Sequence, residues 1–64
     1  MNNYSLVLTN QKTFCIQCTS CSISEYVVIF KSGVISNPMD DNTQNIPFKQ
    51  HIVPFVQVES LTEV

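Results

Sequence analysis

The residues best equipped for chemistry are three cysteines, spaced Cys15-x-x-Cys18-x-x-Cys21, and the single histidine, His51. Thiolates two residues apart on a tight knuckle, joined by an imidazole, form a sound tetrahedral Cys₃His zinc site. A knuckle needs residues that turn the backbone. Here the intervening positions are Ile16, Gln17, Thr19 and Ser20, with no Gly or Pro. If this stretch is extended, Cys15 and Cys18 face opposite sides and lie roughly 10 Å apart, too far to share a metal or a disulfide. The expectation is therefore no metal and no cofactor, with Cys18 a small core hydrophobe. The set Cys15, Cys18, Cys21 and His51 is the alternative. A redox pair at Cys15 and Cys18 would need a helix N-terminus to lower a thiol pKa, and no helix is predicted there. A Cys-His nucleophile would need a pocket and a third, orienting group, which so short a chain rarely provides. The sequence reads as that of a non-enzyme.

The carboxylates support this. Glu25, Asp40, Asp41, Glu59 and Glu63 show no spacing that suggests paired acid and base work. Asp40-Asp41-Asn42-Thr43-Gln44-Asn45 resembles a calcium loop but lacks the glycine at the sixth position and the glutamate at the twelfth. Asn3-Tyr4-Ser5 matches a glycosylation sequon and reads as a chance match. Leu61-Thr62-Glu63-Val64 resembles a class I PDZ ligand, in which terminal residues add as a strand and backbone amides hold the carboxylate.

Composition narrows the field further. At 64 residues, with 44% hydrophobic and 12% charged residues, the chain has room for one domain and about half the usual share of charge. Its cations are Lys12, Lys31 and Lys49, with His51, and there is no Arg. No stripe can neutralise several phosphates or grip a guanine, which sets nucleic acid aside; an anionic membrane surface goes with it. No apolar run approaches the ~18 residues of a spanning helix, and no signal-peptide pattern is read at the start. An odd cysteine count with no secretory signal favours a reducing, cytoplasmic setting.

The elements must be arranged around Glu25 to Lys31, whose five central residues are all β-branched or aromatic. Such a run is predicted to be a strand hidden between two others or against a partner. Ahead of it, Tyr4 to Thr9 alternates with Tyr4, Leu6 and Leu8 on one face, and Thr13 to Thr19 alternates with Phe14, Ile16 and Cys18 inward. Asn10 suits the turn between them, and Ser20 to Ser24 a connection. Gly33, the only glycine, is predicted to take a positive φ in a Ser32-Gly33 turn, after which Val34 and Ile35 start a short return strand stopped by Asn37-Pro38. Ser36 to Pro47 reads as a long irregular loop, with space for one helical turn within 37–45. Phe48 to Glu59 is predicted as the last strand, where Pro54 marks an edge or a division. The expected fold is all-β: a small antiparallel sheet or SH3-like barrel of four to five short strands, forming a single domain over 1–59 with a flexible tail at 60–64.

Few charges, a small core and six aromatic residues point to a protein that binds protein. Met39, Phe48 and Phe55 are the expected partner-binding residues. The partner would be another copy, as a homodimer, or a different protein. A small accessory or inhibitor protein of a virus or mobile element has this profile.

Overall fold

The computed structural model describes all 64 residues as one antiparallel sheet. Its strands are β1 (Asn2–Leu8), β2 (Thr13–Ile23), β3 (Val27–Ser36), β4 (Ile46–Pro54) and β5 (Val58–Glu63). A single 3₁₀ turn, Phe55–Gln57, joins the last two. The spatial order is β4-β3-β2-β1-β5, so the first four strands form a meander and the fifth returns beside the first. The all-β architecture is the expected one, and the apolar run of β3 lies between β2 and β4.

Leu6, Ile16, Cys18, Val28, Phe30 and Val53 form the buried core, and all six come from one face of this sheet. The chain supplies no second layer to cover that face. The sheet must therefore curl over its own inner side, leaving β4 and β5 as its two edges. The Phe30 ring lies tilted against Tyr4, with centroids 5.9 Å apart, in the favourable offset range for aromatic pairs.

The curl depends on one line across three strands. Core-facing positions change parity on each: Cys18 to Cys21 on β2, Phe30 to Ile35 on β3, Phe48 to Val53 on β4. The slip falls at Thr19, Ser32 and Lys49, which the pairing register places side by side. Ser32 takes the left-handed conformation, φ 57°, which turns the strand without ending it. The Thr19 hydroxyl donates to the Lys31 carbonyl at 2.9 Å, bridging the strands where the ladder is interrupted.

This corrects the predicted Ser32-Gly33 turn. β3 continues unbroken to Ser36, Gly33 has no positive φ, and Val34 and Ile35 belong to the same strand. Glycine is needed for a different reason. A Cβ at position 33 would lie 2.7 Å from Cys18 Cα and 2.8 Å from Gln17 C, and would overlap the Gln17 carbonyl oxygen. The backbones of β2 and β3 approach too closely there for any side chain.

Other boundaries shift similarly. β2 runs on to Ile23, and the β2–β3 hairpin turns instead at Ser24-Glu25-Tyr26. Its Ser24 hydroxyl donates to the Val27 carbonyl at 3.0 Å and accepts from the Val27 amide at 3.2 Å. In the first hairpin Gln11, φ 70°, takes the left-handed position expected of Asn10, whose side chain instead accepts from the Lys12 amide at 3.0 Å. The helical turn falls at Phe55–Gln57, while 37–45 is a chain of hydrogen-bonded turns. Pro54 does divide the predicted last strand, and β4 is an edge. Residues 60–63 of the expected tail belong to β5, which pairs with β1 from Leu8↔Val58 to Tyr4↔Glu63, Glu59 being an extra residue in a bulge.

Candidate functional site

Because β2 is extended, its cysteines are dispersed. Cys15 is exposed, Cys18 fully buried and Cys21 half-buried, and none is paired. Burial raises the pKa of Cys18 above the usual thiol value, offset in part by a backbone hydrogen bond from Ser20. Burial likewise raises that of Cys21, reinforced by the charges of Cys18 and Glu63. Both are therefore protonated at neutral pH, the form that neither attacks nor ligates well. His51 lies on β4 opposite Phe30, its ring 5.8 Å from that of Phe48. The structure does not bring Cys15, Cys18, Cys21 and His51 together, and no group of three or more His, Cys, Asp or Glu side chains is placed to hold a metal ion.

The acidic loop is self-contained. The Asp40 carboxylate accepts from the Asn42 amide and the Thr43 hydroxyl, each at 2.9 Å, and these bonds hold its pKa below the ordinary carboxylate value. Gln44 donates to the carbonyls of Asn37 and Asp40 at 2.8 and 3.0 Å, and Asn45, φ 52°, closes the loop through its bond to Ser36. Its polar groups are turned onto each other. The residues of the PDZ-like tail are likewise engaged, since the Val64 amide donates to the Asn3 carbonyl at 2.9 Å and Glu63 pairs with Tyr4.

The three residues expected to bind a partner fall in three settings. Met39 is 88% exposed at the tip of the 37–45 loop. Phe48 is half-buried on the inner face of β4, packed against the core. Phe55, 43% exposed, opens the 3₁₀ turn, and its amide donates to the Tyr26 carbonyl at 2.7 Å. That bond ties the turn to the β2–β3 hairpin, beside which Val27 pairs with Pro54. Exposed apolar side chains gather at this end of the sheet: Ile23 and Tyr26 from the hairpin, Ile52 from β4, Phe55 and Val56 from the turn. Of these, only Phe55 was singled out by sequence. Ile23 and Tyr26 read as connection and central strand, and only the true hairpin boundary exposes both.

A second feature is a shallow cavity of about 430 Å³ on the outer face of β1, β2 and β3. Two cross-strand rows floor it, Asn3–Gln17–Val34 and Ser5–Cys15–Ser36, with Asn45 and Val64 at the rim. None of its lining side chains is charged; Cys15, Ser5 and Ser36 are its potential nucleophiles, with no histidine or carboxylate side chain in the lining to act as their base. An unassisted thiol has no base to activate it.

The free edge of β4 is the third feature. It runs nine residues, has β3 on one side and nothing on the other. No helix is long and apolar enough to cross a membrane. No protein-family model matches the chain, and no curated protein or solved structure matches it either.

Proposed function

We propose that this chain is a non-catalytic protein-binding module that pairs the free edge of β4 with a strand of another polypeptide, in the first instance another copy of itself. The observation that carries the reading is the coincidence of an unpaired strand edge with exposed apolar residues at its end, Ile23, Tyr26, Ile52, Phe55 and Val56, on both faces of the sheet. An open edge offers a row of amides and carbonyls, and strand addition uses them for affinity while neighbouring apolar groups supply specificity. Met39 and its loop, which leads into β4, stand near enough in sequence to add contacts. An accessory or inhibitor protein that occludes a partner would use the same edge.

Sedimentation velocity of the wild type beside Ile52→Asp and Phe55→Asp tests this. Both side chains are substantially exposed, at 50% and 43%, so both variants keep the fold. Concentration-dependent association that each variant weakens by about tenfold or more supports the reading. A wild type that stays monomeric, or variants that associate as it does, overturns it.

A further inference from the structure

The strands carry only four charged side chains, and their placement is polar across the sheet. Lys31 on β3 and Lys49 on β4 lie at one side, Glu59 and Glu63 on β5 at the other, and β1 and β2 between them carry none. The register sets Lys31 opposite Gln50, next to Lys49. The remaining charges, Lys12, Glu25, Asp40 and Asp41, sit in the connections. Both outer strands have an unpaired side.

From this we infer that the strand β4 receives is β5 of a second copy, so that the sheet continues head to tail from one protein into the next. The inference rests on β4 being the binding edge. Pairing β4 with a second β4 would set two basic edges side by side, and pairing β5 with β5 two acidic ones; only the unlike edges are complementary in charge. The lengths agree as well. Proline has no amide to donate, so Pro47 and Pro54 limit the useful part of β4 to Phe48–Val53, six residues, and β5 is six residues long. Unlike edges at opposite ends of one sheet leave a free edge of each kind after every addition, so the contact is heterologous and, unless its rotation closes a ring, forms open-ended chains instead of a closed dimer.

Charge reversal tests the pairing. Lys49→Glu leaves a chain with two acidic edges, and Glu59→Lys with Glu63→Lys leaves one with two basic edges. By sedimentation velocity at low salt, each variant alone is expected to associate about tenfold more weakly than wild type. An equimolar mixture should recover association, because each acidic edge then meets a basic one, and all three substitutions in one chain should recover it too. Recovery on mixing also shows that both variants are folded. The wild type should give species whose mass keeps rising with concentration, and added salt should weaken them.

A mixture no better than its components, a wild type that saturates as a dimer, or a monomeric wild type overturns the inference. If Ile52→Asp abolishes association while the glutamate reversals do not, β4 remains the binding edge and its occupant is some other strand. If neither does, both readings fall.

Discussion

Replacing Gly33 by alanine is the most informative perturbation of the fold. Had Gly33 occupied a turn with positive φ, alanine would cost about 1 kcal/mol in backbone conformation. The structure places it within β3, where the new methyl carbon would meet Cys18 Cα at 2.7 Å and Gln17 C at 2.8 Å and overlap the Gln17 oxygen. Ordinary carbon contacts are about 3.5–4.0 Å. Every obstructing atom is backbone, so no side chain can swing aside and β2 and β3 must separate. Forcing a methyl into a filled site costs about 1–3 kcal/mol, and each ladder hydrogen bond lost at Cys18↔Gly33 adds about 1 kcal/mol. With one or two such bonds lost the total is about 2–5 kcal/mol. At roughly 0.05–0.15 kcal/mol per residue, a domain of this size has about 3–10 kcal/mol in all. Urea denaturation followed by circular dichroism should therefore find Gly33→Ala largely unfolded, or its melting temperature lowered by about 15–25 °C. Ser32→Gly, which relieves the left-handed serine, should be neutral or stabilising by up to about 1 kcal/mol. A loss below about 1 kcal/mol for Gly33→Ala would refute the close approach of the two strands.

Three further outcomes follow from the packing. Ile16→Val, at a core position 2% exposed, should lower the urea midpoint by an amount equivalent to about 0.5–1.5 kcal/mol without changing the slope. A chromogenic disulfide reagent should label Cys15 at once, Cys21 slowly and Cys18 only on unfolding, and neither zinc nor a chelator should move the melting temperature. Asp40 has a depressed pKa when folded, so its contribution to stability is present above the ordinary carboxylate range and is lost as the pH falls below about 4. The difference in urea midpoint between wild type and Asp40→Ala should be constant at neutral pH and shrink in acid; a difference that grows in acid would contradict the assignment.

What could be read from the residues was whatever a period of two controls. Tyr4, Leu6 and Leu8 alternate in the sequence and line the inner face of β1, and Phe14, Ile16 and Cys18 do the same on β2. Pro54 marked an edge and a division because a missing amide acts locally, whatever the topology. The rest depends on contacts distant in sequence. The parity slip at Thr19, Ser32 and Lys49 breaks the alternation on three strands at once, so the period of two stops short of the true ends of β2 and β3. Gly33 reads as a turn residue because nothing nearby in sequence reports the backbone of Gln17. β5 was hidden by its bulge at Glu59, which puts Val58 and Leu61 out of phase. Of the candidate site, Phe55 and Met39 were legible as apolar residues beside strand breakers or acids. The other exposed apolar residues at that end were not, since Ile23 and Tyr26 come to the same end as Phe55 only where the β2–β3 hairpin meets the 3₁₀ turn.

The role assigned to β4 is tested most directly by residue-resolved amide hydrogen exchange at low and high protein concentration. Pairing of its free edge requires that amides within Phe48–Val53 slow as concentration rises, while those of β2, already flanked on both sides over much of its length, do not change. Unchanged exchange in β4 under conditions where the protein is shown to associate, with new protection around Asn3, Cys15 and Gln17 instead, would place the contact on the outer cavity and contradict the edge.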